Sequence, residues 1–143
     1  MKKWAVGVAC LVAGAALAHE GVKNPAVMAR MDGMSTIGAE TKILGQMAKG
    51  EKPFEADVAR AAAAKIATEA ARIEPLFKAP EKDPMSESLP AVWTDFPDFV
   101  AKAKSLEDAA LRVAKVTTKE ELQTHLREIG AACSACHKVY RKP

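Results

Sequence analysis

The chain has 143 residues, of which 49% are hydrophobic and 27% charged, and its formal net charge is +3. This length suits one domain with a single core, and the nearly balanced charge gives no reason to expect a nucleic-acid partner. Only three cysteines are present, so a framework of several disulfides is excluded as well.

Residues 1–18 have the three parts of a secretory signal peptide. Lys2 and Lys3 form a basic start, an uncharged apolar run follows, and the run ends in a small-x-small cleavage site at Ala18. The apolar run is shorter than the roughly 17–25 residues that span a membrane. We therefore expect export, cleavage after Ala18, no membrane span in the mature protein, and one mature domain of residues 19–143. Loss of the two lysines lowers the formal charge to +1.

Four later segments have the periodicity of amphipathic helices, and none alternates as a strand does. Gly50 suits a helix C-terminus, and Thr118 with Glu121 forms a capping box at the start of the last helix. The predicted helices cover about residues 26–49, 55–76, 98–116 and 118–140.

Residues 77–97 interrupt this pattern with four prolines. They are predicted to form a long surface connection with one short turn around Trp93. Four amphipathic helices with one long connection predict an all-α, four-helix bundle.

The run Cys133-Ser134-Ala135-Cys136-His137 carries the clearest chemistry in the chain. A C-x-x-C-H motif predicts one covalently attached haem c, because two thiols form thioethers with the haem vinyl groups and the imidazole ligates the iron. A zinc ribbon would need a second C-x-x-C, and a thioredoxin-like pair would need βαβ surroundings. Covalent haem attachment and the export signal together predict a periplasmic location.

The second axial position of the iron decides the function. An iron with two protein ligands mainly carries electrons, whereas an open iron binds small gases. His125 is a poor candidate, because it lies twelve residues before His137 on the same predicted helix, about 18 Å away. A methionine thioether suits haem iron, but methionines on an apolar face are usually core filler. Periodicity alone leaves open the four methionines of the first helix: Met28, Met31, Met34 and Met47.

Several stretches outside the haem motif form a second pattern. They are Arg30-Met31-Asp32-Gly33-Met34, Leu44-Gly45-Gln46-Met47-Ala48-Lys49-Gly50-Glu51, Pro90-Ala91-Val92-Trp93 with Phe99, and the Arg141 that follows the motif. With the C-terminal position of the haem motif, they resemble the class II c-type cytochromes. This group comprises the cytochromes c′ and low-spin relatives such as cytochromes c-556 and c-554, and the resemblance covers nearly all of residues 19–143.

The resemblance implies an antiparallel four-helix bundle and assigns roles to three further residues. Met34 falls where the c-556-like members carry the ligand methionine and where cytochromes c′ carry a bulky residue that does not ligate. Arg30 falls at the arginine that contacts a haem propionate, a pairing that guanidinium and carboxylate favour. Arg141 matches the basic residue beside the proximal histidine. The alternatives are a packed methionine at 34, a solvated arginine at 30, and an ordinary helix C-terminal cation at 141.

These observations predict a periplasmic electron carrier without enzymatic activity, with iron ligated by His137 and Met34 and with redox proteins as partners. The alternative is a five-coordinate, cytochrome c′-like protein that binds or scavenges nitric oxide or carbon monoxide. A peroxidase ranks last, because the sequence offers no distal His/Arg pair. Monomer and homodimer both stay open.

Overall fold

The computed structural model describes residues 21–143, and these residues form five α-helices and no strand. The helices are α1 (Pro25–Lys49), α2 (Ala56–Phe77), α3 (Ala91–Thr94), α4 (Phe96–Val113) and α5 (Lys119–Tyr140). The predicted signal peptide, its cleavage site and the start of the mature chain lie outside the described residues. None of the helices within residues 21–143 is long and apolar enough to cross a membrane.

The four long helices pack as a bundle, which confirms the predicted fold class. α1 lies against α2, α2 against α4 and α4 against α5, whereas α1 and α5 pack together much less extensively. The short helix α3 contains Trp93 and confirms the predicted turn. It belongs to the segment between α2 and α4, residues 78–95, which we call the crossover.

Local sequence signals fix the helix ends. The Asn24 side chain accepts a hydrogen bond of 2.8 Å from the amide of Ala26 and so caps α1. Gly50 ends the same helix at φ 78°, a left-handed conformation that glycine adopts without strain. The capping box of Thr118 and Glu121 is present at the start of α5. These bonds satisfy backbone groups that a helix terminus would otherwise leave without partners.

The predicted third helix differs most from the structure, since α4 begins two residues earlier and ends three residues earlier than expected. The sequence places Pro97 in the connection, but in the structure it lies in the first turn of α4. A proline is tolerated there because its missing N–H has no intrahelical partner in any case.

Candidate haem site

A cavity of about 490 Å³ opens within the bundle, bounded by α1, α2, the crossover, α4 and α5. Aliphatic and aromatic side chains from every one of these elements line it. They include Val27, Ile37, Ile73, Phe77, Val92, Phe99, Ala103, Leu106 and Ala132. Its size and apolar walls are typical of cofactor pockets.

α5 supplies the predicted attachment residues, and Cys133, Cys136 and His137 all line the cavity. The two thiols are free and half-buried, and burial raises the pKa of Cys136 to about 11. Burial raises the pKa of Cys133 as well, so both thiols are protonated at neutral pH in the absence of haem. Burial, and then the charge of Arg141, lower the pKa of His137 against the opposing effect of Glu87. The imidazole is thus neutral at pH 7, as an iron ligand must be.

α1 forms the wall that carries the methionines, but only two of the four candidates reach the cavity. Met31 and Met34 line it, one turn apart. Met47 is packed in the core with 3% of its surface exposed, and Met28 is not part of the lining. His125 is also outside the lining, and its Nδ1 lies 3.4 Å from Glu128 Oε1. The structure therefore reduces the distal candidates to two.

Gly33 precedes Met34 on α1 and faces the Glu69 side chain of α2. A Cβ at this position would lie 3.2 Å from Oε2 of Glu69 on α2, tighter than ordinary van der Waals contact. The absence of a side chain at Gly33 therefore leaves room for the Glu69 carboxylate beside α1.

Arg30 also lines the cavity, but the structure gives it a role that the sequence did not indicate. It is 3% exposed, and its Nε, Nη2 and Nη1 donate to the carbonyls of Leu76, Ala79 and Glu81 at 2.9, 2.6 and 3.0 Å. Arg30 thus binds α1 to the end of α2 and the start of the crossover. Three of its five N–H groups are used in this way, and two are left for a propionate.

Two aromatic rings complete the surroundings of Arg30. Its guanidinium carbon lies 4.7 Å from the ring centre of Phe77 and 5.5 Å from that of Trp93, distances that suit cation–π attraction. Trp93 donates from Nε1 to the carbonyl of Phe77 at 2.8 Å and is not part of the cavity lining. Trp93 therefore anchors the crossover to the end of α2.

Arg141 lies directly after α5 and has left the helical conformation. α5 ends at Tyr140, and Arg141 has extended backbone angles of φ −114° and ψ 143°. Its side chain still lines the cavity, and its Nε donates to Oε2 of Glu87 in the crossover at 2.6 Å. The amide of Arg141 bonds to the carbonyl of His137 at 3.1 Å, so the residue stays beside the proximal histidine by another route.

Sequence reasoning missed a cluster of polar side chains between α4 and α5, formed by Tyr140, Asp98 and Lys102. The Tyr140 hydroxyl donates to Oδ2 of Asp98 at 2.5 Å, and Lys102 Nζ lies 3.0 Å from the same oxygen. The hydrogen bond to Asp98 raises the pKa of Tyr140. Tyr140 and Lys102 both line the cavity. The three-residue spacing of Tyr140 from His137 was the available signal, because it puts both on neighbouring positions of one helix face.

The residues fit a covalent haem by the chemistry of their donor groups. Two thiols and a neutral imidazole lie on α5, and two methionine thioethers lie on α1, with apolar side chains between them. Arg30, Lys102 and Arg141 supply positive charges at the cavity walls. Soft sulfur and imidazole donors suit haem iron, and the apolar lining suits the porphyrin.

Comparisons with known proteins point to c-type cytochromes. The family described as Cytochrome C' matches residues 25–141. Cytochrome c-554 of Cereibacter sphaeroides is 38% identical over 92% of this chain and 91% of its own. Cytochrome c-556 of Agrobacterium fabrum is 36% identical over 92% of this chain and 88% of its own. Cytochrome c prime from Shewanella frigidimarina has a similar structure, with a TM-score of 0.75 and 28% identity over 82% of this chain and 94% of its own.

Proposed function

Since this chain belongs to the cytochrome c′ family and is a monohaem c-type cytochrome, we propose that it is an electron carrier whose iron is ligated by His137 and Met34. The observation that supports this best is the presence of His137 on the α5 wall and Met34 on the α1 wall of one cavity. A thioether beside an imidazole is a common axial pair in electron-transfer cytochromes.

The residues of the chain divide the work of holding the cofactor. Bound haem supplies the one-electron iron couple. Cys133 and Cys136 would hold the haem through thioethers. His137 and Met34 would ligate its iron in both oxidation states, so the chain would rearrange little on electron transfer. The apolar lining excludes water, and Arg30 offers its two remaining N–H groups to a propionate.

The setting follows from the same proposal. Residues 1–18 would direct export to the periplasm, where the carrier docks briefly with redox proteins through the small interface that rapid exchange requires. Whether it also forms a homodimer remains a prediction to be tested by sedimentation at two concentrations.

A gas-binding protein with five-coordinate iron is the second candidate, and one observation favours it. Met34 lines the cavity among many apolar side chains, and a methionine on an apolar face can pack there without ligating the iron. One side of the iron would then be open to a diatomic ligand.

Absorption spectra of Met34→Leu and Met31→Leu holoproteins test the choice. We expect the wild type and Met31→Leu to be low-spin, with the sulfur-to-iron charge-transfer band and no rapid carbon monoxide binding. Met34→Leu should lose that band and bind carbon monoxide. A switch in Met31→Leu alone would transfer the ligand role to Met31. A wild type that is already high-spin and binds carbon monoxide would support the gas-binding protein instead.

A further inference from the structure

The C-terminal residues are tied to the crossover by a short, two-sided set of bonds, which we call the clasp. The amide of Leu89 donates to the carbonyl of Tyr140, and the amide of Lys142 donates to the carbonyl of Glu87, both at 2.8 Å. Ser88 and Arg141 lie between these bonds as an isolated antiparallel bridge. The clasp therefore pairs Ser88 with Arg141 and brings Glu87, the residue before Ser88, within reach of the Arg141 side chain.

This arrangement places two opposite charges beside the proximal ligand. Glu87 and Arg141 line the same cavity as His137, and their side chains are joined at 2.6 Å. The amide of Arg141 also donates to the carbonyl of His137 at 3.1 Å, which keeps both charges next to the proximal ligand. Lys142 is the other cation at the clasp, and its Nζ donates to the carbonyl of Ser86 at 2.7 Å.

We propose that Glu87 is a positioning residue whose carboxylate, balanced by Arg141, sets the reduction potential of the iron through the charge beside His137. The inference rests on the proposed function, because it concerns the couple that the carrier would use. Ferric haem carries one more positive charge than ferrous haem. A carboxylate near the proximal ligand therefore favours the ferric state, a guanidinium favours the ferrous state, and the intact pair nearly cancels.

Equilibrium potentiometry of holoprotein variants at low ionic strength, with small-molecule mediators, measures this directly. Glu87→Gln keeps an oxygen for the Arg141 hydrogen bond but removes the negative charge, so the midpoint potential should rise. Arg141→Gln leaves the carboxylate unbalanced, so the potential should fall. The double variant should return close to the wild type. Glu87→Asp keeps the charge and should also remain close to it.

A matched control, Glu51, lies just after the C-terminus of α1. Glu51 has a side chain that is 55% exposed, against 56% for Glu87, and it pairs with Lys49 at 3.9 Å. Glu51 is not part of the cavity lining. Glu51→Gln changes the net charge by the same amount and should leave the potential unchanged. Added salt should reduce the shifts at Glu87 and Arg141, because exposed charges are screened.

Shifts of the same sign in Glu87→Gln and Arg141→Gln would overturn the inference, since that is the result of loosening the clasp and admitting water. No shift in either would overturn it as well. The Met34→Leu spectrum tests the distal ligand separately and does not depend on these potential shifts. If Glu87→Gln and Arg141→Gln shift the potential in opposite directions but the Met34→Leu spectrum is unchanged, the inference stands and Met34 is not the ligand. If the Met34→Leu spectrum changes but the two potentials do not shift in opposite directions, Met34 is the ligand and the inference is wrong.

Discussion

Helices α2 and α5 have the same length but fill their inner faces in different ways. Each has 22 residues, yet α2 buries eight of them and α5 buries three. The buried face of α2 is mostly alanine, at Ala59, Ala62, Ala63, Ala67 and Ala70. The inner face of the second half of α5 instead borders the cavity, where Cys133 and Cys136 are only half-buried.

This difference shows how one side of a bundle can be filled by protein while the other side leaves space for a cofactor. Alanine has high helix propensity and allows neighbouring helices to approach closely, so the α2 side is filled by protein alone. On the α5 side the burial must come from the cofactor. Before the haem is bound, α5 is held by its packing against α4, with Leu122 and Ile129 fully buried, and by the Tyr140 bond to Asp98.

Removing the haem gives the largest test of this comparison. In a Cys133→Ala/Cys136→Ala variant prepared without haem, the second half of α5 should lose its apolar cover, while α2 keeps its own. We expect amide hydrogen exchange in residues 130–140 to become faster by on the order of 100-fold relative to the holoprotein, with a much smaller change in α2. Equal acceleration in both helices would show that the bundle opens as one unit.

Arg30 tests the attachment of the crossover to α1, which is polar rather than alanine-packed. Arg30→Met keeps an apolar stem but leaves three carbonyls without their donor. The expected loss of unfolding free energy in urea is about 3–5 kcal/mol. Arg72, which is 53% exposed and pairs with Glu69 one turn away, is the control, and Arg72→Met should cost about 0.5 kcal/mol or less. A similar cost for both would contradict the anchoring role.

Two alanines probe the comparison at the smallest scale. Ala63 on α2 is fully buried, at 0% exposure, whereas Ala135 on α5 is exposed. Ala63→Leu overpacks the helix contacts and should lower the unfolding free energy by about 1–3 kcal/mol. Ala135→Leu should stay within about 0.5 kcal/mol of the wild type. If Ala63→Leu were tolerated equally well, the α2 side would not be tightly packed.

Most of the fold could be predicted because its signals are local. Gly50, the capping box of Thr118 and Glu121, and the prolines after α2 each act within a few residues, so helix ends were placed within a few positions. Pro97 misled the prediction, because a proline either ends a helix or opens one, and only the packed structure decides between these.

The site could be predicted only in part. The haem motif is contiguous, so Cys133, Cys136 and His137 follow from sequence. The partners of Arg30 and Arg141 are distant: Leu76 is 46 residues from Arg30, and Glu87 is 54 residues from Arg141. No helical period connects such pairs. Only the cavity shows that Met31 and Met34 are candidates for the distal ligand and that Met47 is not, because all three lie on one amphipathic helix.

Arg30 also has a consequence for the response of the protein to acid and alkali. Its three hydrogen-bond acceptors are backbone carbonyls, which do not titrate. Burial lowers the pKa of Arg30, but a guanidinium keeps its proton in folded proteins. Neither donor nor acceptors therefore change charge when the acidity of the surroundings changes. The start of the crossover, and the part of the cavity beside it, should keep their geometry over a wide range of pH.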